Sequence, residues 1–157
     1  MSADLTISRL IKAPPAAVWQ AWSDPHHFAQ WWIPEPYECK VIKLDLRPGG
    51  GFETMMREGG LAKNGEEFQP HVEGCFLEIE PERKLTFTTS LIEDWRPGEP
   101  WLALTAQITF TPEDGGTRYT ARARHWSEET RKQHEEMGFV EGWGVCADQL
   151  KAICEAD

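Results

Sequence analysis

The side chains that could do chemistry in this 157-residue chain are five histidines, four cysteines and an unusual number of tryptophans, eight in all. Histidine binds metals and moves protons near neutral pH, but it needs converging rings or a neighbouring carboxylate to do either well. His26 and His27 fall at the start of a short helix, while His71, His125 and His134 stand far apart. No His-Glu-x-x-His or comparable ligand spacing occurs, so no metal site is expected. His71 and Glu73 share one face of a strand, because side chains two apart in a strand point the same way, and His125 could approach from a neighbouring strand. His71 is therefore a candidate hydrogen-bonding group for a ligand, with Arg9 and Glu73 as further polar candidates.

Covalent catalysis finds no support. Ser8, Ser23, Ser90 and Ser127 lack the Gly-x-Ser-x-Gly elbow. Cys39, Cys75, Cys146 and Cys154 are widely separated, form no Cys-x-x-Cys pair, and read as reduced, buried, small apolar residues. Gly49, Gly50 and Gly51 are followed by a strand and lack the Lys-Ser/Thr ending of a phosphate loop, so they read as a hairpin turn. No cofactor is expected.

The aromatic residues point elsewhere. Trp19, Trp22, Trp31, Trp32, Trp95, Trp101, Trp126 and Trp143 cluster near short helices, strand ends and the last helix. Large rigid rings around a concave space suit an apolar ligand. The expected wall is Trp31, Trp32, Phe76, Phe87, Trp101, Met137, Phe139 and Trp143. Gly138 and Gly142 lie four apart on the predicted helix, each costing about 1 kcal/mol there relative to alanine. Either the missing side chains make room for a ligand or a close strand, or the helix is kinked or starts later. Gly142 joins the candidate ligand-binding residues on the first reading.

Sixteen Lys and Arg against 26 Asp and Glu give a net charge of -10. A nucleic-acid partner would be repelled, and the cations never form a run. No apolar stretch approaches the length of a membrane helix, and the N-terminus lacks the basic start and apolar core of a signal peptide. A cytoplasmic location is expected. The expected partner is an apolar or amphipathic small molecule; a homodimer is admitted.

The elements that must position these residues follow from periodicity and turns. Residues 4–12 alternate as a strand, with Leu5, Ile7 and Ile11 on one side and Arg9 interrupting the apolar row. Pro14 and Pro15 open a helix through Val18, Trp19 and Trp22, and Asp24 caps a second short helix carrying Phe28, Trp31 and Trp32. Strands are predicted over 38–46, 51–58, 69–79, 84–91, 101–111 and 117–125, with turns at 49–51, 63–65, 81–83, 96–98 and 114–116. Ser127 and the acids after it start a helix to about Glu155, with Phe139, Trp143, Cys146, Leu150 and Ile153 on one face. Nothing divides residues 1–157 into more than one domain. The fold class is α+β: a curved antiparallel sheet of about seven strands wrapped around one long C-terminal helix, an arrangement that tends to leave a hollow.

Several short pieces carry a family resemblance. They are Ala13-Pro14 with Val18-Trp19 and Ala21-Trp22, Asp24-Pro25, and Trp31-Trp32 with Pro34. Later come Arg47-Pro48-Gly49-Gly50, Gly74 with Glu78-Ile79 and Pro81, Gly116-Thr117, and Met137-Gly138-Phe139 with Gly142-Trp143. In this order they resemble the family named for activators of the ATPase of the ninety-kilodalton heat-shock chaperone, within the SRPBCC, or START and birch-pollen-allergen-like, superfamily. The resemblance implies a helix-grip fold with an internal cavity. That superfamily holds carriers, cyclases and many members without an assigned reaction, so it fixes fold more than function. The chain resembles only the C-terminal part of the co-chaperone, without the part used to grip the chaperone, so chaperone binding is not expected. The leading expectation is a small-molecule binding protein, with a cyclase or dehydratase type of enzyme and a chaperone-activating module as alternatives.

Overall fold

The computed structural model describes residues 4–58 and 67–156. Strand β1 (Asp4–Ile11) opens the chain, and its buried Leu5, Ile7 and Ile11 bear out the alternation. Pro14 and Pro15 stop it and start α1 (Pro15–Ser23). The Asp24 carboxylate then accepts from the His26 and His27 amides at the head of α2 (Pro25–Phe28), which satisfies amides that a first helical turn leaves unpaired. Six strands of the main sheet follow: β2 (Tyr37–Leu44), β3 (Gly51–Glu58), β4 (Gln69–Glu80), β5 (Lys84–Thr88), and, after a small ribbon, β8 (Thr105–Glu113) and β9 (Gly116–Arg124). With β1 they form one antiparallel sheet in the order β1-β9-β8-β5-β4-β3-β2. The sheet curls into a half-barrel, and the C-terminal helix packs across β1. The expected turn at 63–65 lies outside the described residues.

Several boundaries differ from expectation. Helix α2 ends at Phe28, so Trp31 and Trp32, expected on it, lie in the turn beyond its end. The stretch 84–91 is not one strand: it leaves the sheet after Thr88, and β6 (Leu91–Ile92) pairs with β7 (Arg96–Pro97) in a separate ribbon. The expected turn at 96–98 is thus partly its returning strand, and the reversal is the 3-10 turn Glu93–Trp95. Residues 101–104 look like strand but are not paired in the sheet. Thr89 holds them instead, its hydroxyl donating to the Leu102 carbonyl at 2.8 Å and accepting from the Leu104 amide at 3.0 Å.

The predicted single helix is two. Helix α3 (Glu128–Glu136) begins at Ser127, whose hydroxyl accepts from the Thr130 amide, and α4 (Phe139–Glu155) begins after Gly138. Gly138 sits at φ +94°, a left-handed conformation that strains any residue with a Cβ, and this turn is what its glycine provides. In α4 the expected stripe is inward: Phe139, Cys146 and Leu150 are buried, and Trp143 and Ile153 pack against the core.

Candidate functional site

Helix α4 does more than cover the sheet. Its Gln149 amide donates to the carbonyls of Trp31 and Ile33, both at 3.1 Å, and accepts from the Glu35 amide at 2.9 Å. The Cys146 thiol adds a contact to the Trp32 carbonyl at 3.1 Å. One helix face thereby fixes the segment that presents two tryptophans. Behind them the aromatic core closes solidly: Phe52, Phe76 and Phe87 are fully buried, and Phe52 stacks on Phe76 with ring centroids 5.3 Å apart.

Between this assembly and the sheet lies a cavity of about 410 Å³. Small-molecule sites span roughly 300–1,000 Å³, so this one suits a compact ligand. Ile7 of β1 and Tyr119 and Ala121 of β9 line one side; Gly142, Trp143, Cys146 and Ala147 of α4 line another. Trp31 and Trp32, then Thr54 of β3, His71 and Val72 of β4, and Trp101, Leu102 and Leu104 complete most of the wall. His134 of α3 also contributes.

The expected wall is thus divided. Trp31, Trp32, His71, Trp101, Gly142 and Trp143 line the cavity. Phe76 and Phe87 do not; they are sealed in the core behind Trp22, Phe28 and Phe52. Met137 stands at the helix break with 57% of its surface exposed, and Phe139 is buried at the α3–α4 corner against His134 and Trp143. Of the polar candidates, Glu73 joins the lining, whereas Arg9 is turned to Asp148 at 2.8 Å and lies close over Gly144. A Cβ on Gly142 would meet nothing within 4 Å, so no neighbouring atom demands this glycine.

Indole N–H groups report on the polarity of the wall. Trp22 donates to the Tyr119 hydroxyl at 3.0 Å, Trp31 to the Ala21 carbonyl at 2.9 Å, and Trp101 to the His71 carbonyl at 2.9 Å. Trp32 Nε1 is buried and has no partner among the described residues. Buried donors are nearly always paired, and an unpaired one costs roughly 1–3 kcal/mol.

Two imidazoles line the cavity. His71 Nδ1 lies 3.1 Å from the Thr54 hydroxyl, and burial pushes its pKa down to about 4. His134 Nδ1 lies 2.9 Å from His125 Nε2, and burial together with the His125 ring pushes His134 down to about 4. Both rings are neutral at pH 7. His125, which could have approached His71, instead meets His134, a residue that sequence spacing did not place at the site. In the charged helix Glu128–Glu136 it is the one buried residue, a burial that no apolar spacing in that stretch announces. Cys146 also reaches the cavity, but burial holds its thiol up at about 12, far from a thiolate nucleophile. No group of three or more His, Cys, Asp or Glu arranged to hold a metal ion occurs among the described residues.

A curled antiparallel sheet closed by a C-terminal helix defines a helix-grip protein. The family model of Activator of Hsp90 ATPase homolog 1-like proteins matches residues 12–155, and the chain belongs to that family. A solved protein of Nitrosomonas europaea is 38% identical, with 98% of this chain and 94% of that one covered and a TM-score of 0.84. One from Mycobacterium smegmatis is 28% identical over 99% of this chain and 93% of that one, with a TM-score of 0.78. CalU16 from Micromonospora echinospora is 25% identical over 97% and 76%, with a TM-score of 0.62. No curated protein matches. No helix among the described residues is long and apolar enough to cross a membrane.

Proposed function

We propose that this chain, acting as a single domain over residues 1–157, binds an apolar or amphipathic small molecule in the cavity between the sheet and α4. The observation that carries the reading is the Trp32 indole N–H, unpartnered in the wall of a 410 Å³ aromatic-lined space. A ligand with an acceptor atom would give that donor its missing bond while its body displaces water from Trp31, Trp101 and Trp143. Native mass spectrometry of protein purified from its host, with a tryptophan-fluorescence ligand screen, tests this. A co-purifying mass or a ligand that quenches the tryptophans and raises the melting temperature is expected; if no apolar compound does either, the reading fails.

A second reading is favoured by one specific feature, the His125–His134 pair. A neutral imidazole on the cavity wall, held by a second ring at 2.9 Å, has the arrangement of a proton-transfer group, as a cyclase or dehydratase would need. Incubating the identified ligand with wild-type protein and with His134→Gln separates the two. Product formed only by the wild type makes the protein an enzyme; unchanged ligand with both makes it a binding protein.

A further inference from the structure

A bulge sets His71 apart from its strand. In the β3–β4 ladder Thr54 pairs with Val72 but Met55 pairs with Pro70, so His71 is one extra residue in β4. Regular pairing would place it opposite Met55, on the other face of the sheet from buried Phe52 and Thr54. The bulge instead takes His71 out of step with Glu73 and brings its ring to Thr54, Nδ1 lying 3.1 Å from the hydroxyl. An extra residue also leaves a ladder carbonyl free, and the Trp101 indole donates to it at 2.9 Å. Bulges recur beside functional sites because they re-aim a side chain.

The hydrogen bonds assign the tautomer of His71. Thr54 is 1% exposed and its hydroxyl has no other partner among the described residues, so its proton goes to His71 Nδ1. Burial keeps the ring neutral at pH 7, and a neutral imidazole with an accepting Nδ1 carries its own proton on Nε2. That N–H has no partner among the described residues. The Trp32 ring centroid lies 6.4 Å away, and its buried Nε1–H is likewise unpartnered. Both residues line the cavity.

Resting on the reading of the cavity as a ligand site, we infer that its ligand is a carbonyl compound, a ketone, ester, lactone or amide, whose oxygen accepts from Trp32 Nε1 and His71 Nε2 together. Two neighbouring donors with no acceptor between them call for one oxygen with two lone pairs. An alcohol oxygen would bring a proton of its own. The carbonyls of the same two residues are already engaged, that of Trp32 by the Cys146 thiol at 3.1 Å and that of His71 by the Trp101 indole. A site built of donors discriminates by leaving the wrong ligand's polar groups unpaired.

Isothermal titration of the intact protein at pH 7.5 with three probes of matched shape, 2-acetylnaphthalene, 1-(2-naphthyl)ethanol and 2-ethylnaphthalene, tests the inference. The ketone is expected to bind about tenfold more tightly than the alcohol or the hydrocarbon. Trp32→Phe and His71→Leu should each weaken the ketone by about three- to tenfold and leave 2-ethylnaphthalene within about twofold. His71→Gln, which keeps an N–H near the Nε2 position, should retain most of the ketone affinity. Isotope-edited infrared spectra of the bound ketone should place its carbonyl stretch lower in the wild type than in Trp32→Phe or His71→Leu, a shift that lost packing would not produce. Ketone and alcohol binding within about threefold of each other, or a carbonyl stretch unmoved by both substitutions, overturns the carbonyl anchor and leaves the cavity reading standing. If the Trp32 variant does not fold, His71→Leu and the wild-type comparison decide. No binding of any probe overturns both.

Discussion

His125 Nε2 and His134 Nδ1 lie 2.9 Å apart, and one buried hydrogen bond ties the end of the sheet to the first turn-and-helix that follows it. Only one proton fits between two such nitrogens, so the pair resists further protonation. Burial of His134 opposes a charge as well, and its pKa falls to about 4.

Acid should therefore unfold this protein early. The folded pKa values of His71 and His134, about 4, lie below the unfolded value near 6.5, so the unfolded chain binds more protons between those limits. Stability is complete above about pH 6.5 and is lost as pH falls toward 4, by about 1.4 kcal/mol per pH unit for each histidine. Urea midpoints at pH 7.5 and 5.5 should differ accordingly, and His134→Gln should remove about half of the difference. A flat profile in the wild type would show that neither ring is buried neutral.

The two glycines at the head of α4 should respond in opposite directions to alanine. Gly138→Ala forces a Cβ into φ +94° and is expected to cost about 1–2 kcal/mol. Gly142→Ala has open space and ordinary helical backbone, so it should gain up to about 1 kcal/mol from helix propensity. Its methyl group would sit at the cavity wall and weaken ligand binding. Thermal melts and probe titration of the two variants check both signs.

Phe87 and Trp101 were both expected at the wall, and mutation should separate them. Phe87→Ala empties a fully buried site and is expected to cost about 3–5 kcal/mol. Trp101 is 67% exposed, so Trp101→Ala should cost little stability while reducing probe affinity. Equal losses of stability from the two would contradict the division between core and lining.

Thiol chemistry should be slow. Burial raises Cys39 and Cys146 to about 12 and Cys154 to about 11, and thiolate is the reactive form. Alkylation at pH 8 should proceed far more slowly in native protein than in urea, by mass spectrometry. Rapid native labelling of Cys146 would show that the helix-to-loop clamp beside it opens.

Much of the architecture was legible because its punctuation is chemical. Proline at 14 and 15, the Asp24 cap and the glycine turns each act within a few residues, so β1, α1, the start of α2 and most sheet strands could be placed from spacing, while the early end of α2 at Phe28 could not. The break at Gly138 was harder. The spacing of apolar residues belongs to α4 alone, and α3 has no stripe of its own to reveal where one helix ends. Residues 101–104 misled because Trp-Leu-Ala-Leu suits a strand, while their real partner is the Thr89 hydroxyl, far away in sequence. Trp31, Trp32 and Trp143 could be assigned to one wall because they flank helices that must cover the sheet. Phe76 and Phe87 could not be separated from them, since an inward strand residue lines or seals depending on what stands above it. Here Trp22, Phe28 and Phe52 stand above.

The Gln149 clamp makes the two sides of the cavity unequal. On one side a single amide ties α4 to three backbone groups of the Trp31–Glu35 segment, so helix and tryptophans form one stiff jaw. On the other, residues 102–104 are tied at one end to Thr88 and Thr89, by the Thr89 amide and both hydroxyls, while Trp101 adds only its indole bond to the His71 carbonyl. A redesign for a bulkier guest should accordingly rewrite the 99–102 segment and leave the stiff jaw as the anvil against which new shapes are fitted.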